Sequence, residues 1–351
     1  MRIVFATSEA NPYIKSGGLA DVLGSLPKAL VQKGHECIVV LPKYQDMKLA
    51  DTLEYVTNYD IWVGWRKCYC GVFKAEYDGV TYYFIDNEQY FGRPGLYGYD
   101  DDYERFAYFD FAVLELLSHI DIKPDILHLH DWQTAMITTL YKERYAYYEY
   151  YQGIKIVFTI HNIAYQGKCD PALLSDHFGL DNYLYYNGNC RNDGCFNMMK
   201  AAIYYSDIIT TVSPTYAQEI LTDSFGEGLQ NILQMRRHDL YGILNGIDYE
   251  TINPATDPEI VEHFDITNVD EKKVINKLAL QKECGLPENK DVPLIGIVTR
   301  LTWQKGLDLI INRMEELMKR DVQVVILGAG DQKYEEPLKG IAAYHNQKLS
   351  L

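Results

Sequence analysis

Short apolar, β-branched runs recur along this chain, and each breaks off at a polar or glycine-bearing cluster. They are "RIVFAT" (Arg2–Thr7), "CIVVLP" (Cys37–Pro42), "DILHLH" (Asp125–His130), "IKIVFTI" (Ile154–Ile160) and "DIITTV" (Asp207–Val212). Runs this short and this apolar read as strands buried on both faces. Between them lies helical spacing. Leu19, Val22, Leu23, Leu26, Ala29 and Leu30 make one apolar stripe, and Tyr103–Leu117, Gln133–Tyr147 and Asn197–Tyr205 read as further helices. Buried strands alternating with helices predict a parallel, doubly wound α/β sheet with right-handed crossovers. Tyr55–Val63, Cys70–Tyr77 and Val80–Ile85 add three strands, the last two joined by a turn at "YDGV".

After "YGILNGID" (Tyr241–Asp248) the chain turns polar and carries Pro254 and Pro258. The alternation then restarts: helix Glu271–Cys284, strand "PLIGIVT" (Pro293–Thr299), helix Gly306–Lys319, strand "VQVVILG" (Val322–Gly328) and helix Lys333–Tyr344. Two domains follow, 1–244 and 245–351, as a chain of 351 residues leads one to expect.

Composition removes several classes. A net charge of −16 argues against sequence-independent nucleic-acid binding, which needs a basic footprint. No apolar run approaches the ~20 residues of a membrane span. No signal-peptide pattern opens the sequence, and seven scattered cysteines lack paired zinc-site spacing. A cytoplasmic protein with reduced thiols and no metal is expected. Oligomeric state is left open.

In an open α/β sheet, ligands collect beyond the carboxyl ends of the strands. That rule selects Lys15-Ser16-Gly17-Gly18-Leu19-Ala20-Asp21, His130-Asp131-Trp132, His161-Asn162, Ser213-Pro214, Asn245-Gly246, Arg300 with Trp303-Gln304-Lys305-Gly306, and Gly328-Ala329-Gly330-Asp331. Each has a plainer explanation. Gly17-Gly18 could only turn the chain, Asp131 could only cap the helix at Gln133, His161 could be a satisfied core histidine, and Arg300 with Lys305 could be solvated charges. Against these, glycines before a helix let backbone amides approach an anion. Lys305 opposes the dipole at a helix start unless an anion shares the site. No G-x-G-x-x-G follows the first strand, so the dinucleotide fingerprint is absent. Asp100-Asp101-Asp102 reads as helix-start acids rather than a metal motif.

Taken together, "KSGGLADVLGSLPKAL", "HLHDWQTAM", "FTIHNIAYQG", "TTVSPTYAQEI", "GILNGID" and "RLTWQKGLDLI" resemble the bacterial glycogen synthase and plant starch synthase family. The resemblance runs in family order from residue 1 to about 331. It implies a GT-B fold, with two Rossmann-like domains facing a cleft. It also implies transfer of glucose from ADP-glucose to the non-reducing end of an α-1,4-glucan, with retention and without a metal or other cofactor. By the same resemblance, Lys15, Gly17 and Gly18 face the diphosphate and donor glucose, and Asp21 lines that pocket. Asp131 contacts the sugar or acceptor side, with Trp132 beside it. His161 binds the donor glucose, Asn162 adjoins it, Asn245 sits near the glucose at the domain hinge, and Arg300 and Lys305 neutralise the departing diphosphate. The family continues well past "LGAGD", so the expectation is a C-terminally incomplete synthase with exposed apolar strand edges and impaired activity. The alternatives are an α-glucan phosphorylase on the same fold, which needs pyridoxal phosphate, and a non-catalytic glucan-binding fragment.

Overall fold

One sheet organises the first 246 residues. The computed structural model describes residues 1–351, which divide into two compact units, Met1–Gly246 and Ile247–Leu351. The first unit holds β1 (Arg2–Ala6), β2 (Glu36–Pro42), β3 (Glu54–Val63), β4 (Arg66–Tyr77), β5 (Val80–Asp86), β6 (Ile126–His130) and β7 (Lys155–Ile160). The short strands β8 (Lys168–Cys169), β9 (Arg191–Asn192) and β10 (Cys195–Asn197) follow, then β11 (Ile208–Thr211) and β12 (Leu240–Gly242). Nine strands pair in the order β12-β11-β7-β6-β1-β2-β5-β4-β3. From β12 to β5 every pairing is parallel.

The parallel sheet carries an antiparallel edge where the turn at "YDGV" joins two strands. β4 runs antiparallel to β5, and β3 antiparallel to β4. Asp78 and Gly79, both at positive φ (51° and 77°), close a two-residue hairpin whose twist suits antiparallel strands. β8–β10 form a separate small sheet too short to leave a periodic signal.

Burial follows the sequence pattern. Val4, Phe5 and Ala6 of β1 are fully buried. Helix Asp102–His119 is buried from Arg105 through Leu114. The Arg105 guanidinium lies among Phe91 and Phe106, bonded to Asp102 Oδ1 (3.2 Å) and Leu96 O (3.0 Å). Asp101 pairs with Arg93, so two acids of the aspartate run serve local ion pairs. The continuous helix predicted over Gln133–Tyr147 is instead three pieces: a 3₁₀ turn at Trp132–Thr134, an α segment at Met136–Leu140 and a π turn at Tyr141–Tyr145. Thr134 and Thr138 hydroxyls donate to the carbonyls of His130 and Ala135, a competition that β-hydroxyl residues bring to helices.

The second unit has three parallel strands, β13 (Leu294–Val298), β14 (Gln323–Leu327) and β15 (Leu349–Ser350). Helices Val269–Glu283 and Gln332–Tyr344 match expectation. The helix predicted over Gly306–Lys319 is broken into Leu307–Ile311 and Met314–Met318, where Asn312 and Arg313 interrupt it. The core here is small, with Leu307, Met314, Val324, Ile326 and Leu338 at its centre. Val298 and Leu327 are exposed, as expected for strand ends with little cover. No helix is long and apolar enough to cross a membrane.

Core size predicts unequal stability. Amides of β1, β6 and β7 should exchange only through global unfolding, and those of β13 and β14 through a cheaper, separate opening. Native-state hydrogen exchange measures both. A single opening free energy for all five strands would contradict the division.

Candidate active site

The strand order reverses direction beside β1. From β1 the chain passes through helix Gly18–Gln32 to β2 on one side, while β6 pairs on the other. The carboxyl ends of β1, β6 and β7 therefore deliver the loop around residues 7–17, His130-Asp131 and His161-Asn162 to the place where such sheets open a crevice.

Asp131 follows β6 directly, with φ 56° and ψ −175°. A side chain rarely occupies that region, and holding it there costs about 1–3 kcal/mol. The carboxylate does not cap the turn at Trp132–Thr134. Its Oδ1 instead accepts the amide of His161 (2.8 Å) and that of Asn162 (3.4 Å), tying the end of β6 to the end of β7. Burial pushes the Asp131 carboxyl up to about 7, against the lowering effect of those two amides.

His161 is partly exposed, and its Nε2 lies 2.9 Å from His130 Nδ1. His130 is fully buried and stacks on His128 at 4.3 Å between centroids. His128 Nε2 meets Thr159 Oγ1 (2.7 Å), which meets Thr210 Oγ1 (2.6 Å). Burial lowers all three imidazoles, His128 to about 3, His161 to about 4 and His130 well below its ordinary value. All three rings are thus neutral at pH 7, and His161 is the one at the rim. Trp132 is half-buried and packs on Tyr103 and Phe106. Asn162 Oδ1 accepts the Ala164 amide (3.1 Å).

The glycine loop holds a residue that the sequence reading missed. Glu9, 4% exposed, accepts the amides of Ser16 and Gly17 (the latter 3.2 Å) and the Ser16 hydroxyl (3.0 Å). A protein carboxylate therefore already takes two of the amides expected to face a diphosphate. No periodic pattern marks it, since Glu9 lies in the loop nine residues before the helix start at Gly18. Lys15 is exposed and pairs with Asp21 (2.6 and 2.8 Å), which also accepts from Asn11.

Gly17 has extended φ (−161°) and Gly18 is helical. A Cβ added at either would meet no heavy atom within 4 Å. Neither turn geometry nor packing asks for glycine there. Gly328 and Gly330 differ: a Cβ would lie 2.0 Å from Thr299 O and 2.4 Å from Leu301 O. Those two glycines serve close packing of the second unit.

In that unit, Arg300 follows β13 and Lys305 ends a 3₁₀ turn before Gly306 (φ 65°). Both are exposed, and neither side chain makes an ion pair or hydrogen bond. Asn245 is exposed on the stretch after β12. No three His, Cys, Asp or Glu side chains converge at metal-binding distance.

A family model described as the starch synthase catalytic domain matches residues 2–235. The glycogen synthase of Clostridium perfringens is 51% identical across all of this chain and 73% of its own length. That of Streptococcus agalactiae serotype Ia is 49% identical, over all of this chain and 74% of its own. The catalytic domain of Starch Synthase IV from Arabidopsis thaliana, bound to ADP and acarbose, superposes with a TM-score of 0.92 at 36% identity. It is matched over 73% of its length by the whole of this chain.

The Asp131 environment makes a pH prediction. Its folded pKa of about 7 lies above the ordinary ~3.9. The stability it contributes is present below about pH 4 and lost as pH rises through about 7. Asp131→Asn keeps an oxygen for the two amides and should flatten that decline. Denaturation of both proteins between pH 4 and 8, with carboxyl carbon NMR of the wild type, checks it. A carboxyl titrating near 4 would contradict it.

Proposed function

Because this chain belongs to the starch synthase catalytic-domain family, we propose that its strand-end residues are the working parts of an ADP-glucose-dependent glucosyltransferase that extends an α-1,4-glucan. The fold is GT-B, and the activity is that of a glycogen or starch synthase, a glycosyltransferase. Residues 1–244 are read as the acceptor side and 245–351 as the nucleotide side. The ADP and acarbose on the Arabidopsis protein support a nucleotide sugar and a glucan as ligands. Seven free cysteines support a reducing, cytoplasmic setting.

The observation that carries the site reading is the Gly17-Gly18 pair, which nothing in the folded chain requires to be glycine. Open space over two missing β-carbons suits a ligand that approaches the backbone closely. Glu9 shifts the details. With the Ser16 and Gly17 amides already engaged, the glycines act by leaving room, and Lys15 supplies the charge toward the diphosphate. Asp21 aims Lys15. Asp131 holds His161 and Asn162 against the donor sugar, Trp132 backs that strand end, and Asn245 meets the glucose. A neutral His161 suits a sugar hydroxyl better than a phosphate.

Arg300 and Lys305 take the leaving group. When the glycosyl–phosphate bond breaks, its electron pair stays on the phosphate oxygen, and fixed cations stabilise that charge. Their lack of acidic partners supports this role. Retention follows from front-face displacement, in which the leaving phosphate oxygen takes the proton of the acceptor hydroxyl as that hydroxyl attacks the same face. The rim carboxylates are otherwise engaged, Glu9 by Ser16 and Gly17, Asp21 by Lys15 and Asn11, and Asp131 by two amides. That argues against any of them as a covalent nucleophile.

Gly18→Ala tests the reading. Alanine at the first helical residue should leave stability unchanged or raise it by up to ~1 kcal/mol. ADP-glucose affinity by calorimetry and glucose incorporation into glucan should both fall at least about tenfold if the space belongs to the donor. Unchanged affinity and incorporation would remove the glycine loop from the site.

A further inference from the structure

His130 is fully buried, lies behind His161, and has no role in the reading above. Its ring is held by stacking on His128 (4.3 Å) and Phe5 (6.1 Å). Its Nδ1 lies 2.9 Å from His161 Nε2, and its Nε2 is buried with no partner. We propose that His130 is a positioning residue for glucosyl transfer: its Nδ1–H donates to His161 Nε2 and fixes His161 as the tautomer that carries its own proton on Nδ1. This rests on the reading that His161 binds the donor glucose.

Burial keeps both rings neutral, so each has one N–H and one bare nitrogen. Two arrangements satisfy the 2.9 Å contact. In one, His161 Nε2–H donates to His130 Nδ1, which leaves the His130 proton on a buried Nε2 with no acceptor. In the other, His130 Nδ1–H donates to His161 Nε2, and the orphaned Nε2 is only a lone pair. Buried N–H groups without an acceptor are the rarer defect, so the second arrangement holds. His161 then offers an Nδ1–H, the ring nitrogen with no protein partner. Free imidazole imposes no such choice. A sugar oxygen meets a fixed donor, and no proton need move before binding.

Histidine-selective 15N labelling reads the tautomer directly, with His161 assigned through His161→Gln. In the wild type, His161 should carry its proton on Nδ1. His130→Asn places an amide N–H near the lost Nδ1–H and should keep that tautomer. His130→Leu should release His161 into a mixture of tautomers. Alongside, His130→Leu should lower kcat about 10- to 100-fold with the glucan KM within about twofold, and His130→Asn should recover most of the loss. Thermal melts of both variants separate a folding defect from this effect. A wild-type His161 protonated on Nε2 would overturn the proposal, as would a His130→Leu protein with unchanged tautomer and kcat. If His161→Ala transfers glucose at the wild-type rate, the donor-site reading fails instead. If His161→Ala is impaired and His130→Leu is not, only the relay fails.

Discussion

A single carboxylate joins the ends of two parallel strands, and the rim is arranged around it. Asp131 reaches from β6 to the amides of His161 and Asn162 beyond β7. To do so its backbone takes φ 56° and ψ −175°, which the neighbouring turn does not need. Strain of that kind persists only where surrounding contacts over-determine it, and it concentrates where geometry serves a ligand. The nine-stranded sheet supplies the over-determination: β1, β6 and β7 are hydrogen-bonded along their length and buried. Once β6 and β7 are held in register, His130 and His161 fall within 2.9 Å of each other.

The electrostatics divide between the units. In the first, burial strips charge from His128, His130 and His161, and Lys15 is balanced by Asp21. Glu9 even places a negative group against the amides of the glycine loop. In the second, Arg300 and Lys305 carry unpaired positive charge. The strand ends of the first unit thus present neutral hydrogen-bonding rings, and those of the second present cations. The polar work at each is done by a few side chains on a rigid strand end, where positioning is most exact.

Much of this was legible. Apolar runs mark the central parallel strands, because strands buried on both faces must be continuous in their apolarity, whereas the long edge strands β3 and β4 are exposed or half-buried over much of their length. The rule of carboxyl strand ends selects Lys15, Asp131, His161, Arg300 and Lys305, of which the fold brings Asp131 and His161 together. What escaped depended on the path of the chain. Glu9 sits among loop residues with no period, and only the fold turns it toward Ser16 and Gly17. Nothing in "DILHLH" shows that Phe5 and Thr159 would enclose His128 and His130 in neutral form. The helix after Asp131 has a sound apolar pattern, yet threonine hydroxyls and a π turn break it. Gly17-Gly18 and Gly328-Gly330 look alike as letters. Only the space around them separates the open room over Gly17 and Gly18 from the close carbonyls at Gly328 and Gly330.

The bracing by Asp131 is the claim on which the rest stands, and Asp131→Gly isolates it. Glycine accepts the same backbone angles, so the variant removes the carboxylate without adding strain. Amide exchange at His161 and Asn162, measured against Phe158 in the middle of the same strand, is the decisive observation. The account predicts exchange at least about tenfold faster at His161 and Asn162, with Phe158 unchanged. Equal protection at His161 in both proteins would contradict it, since the strand ends would then be held without the carboxylate.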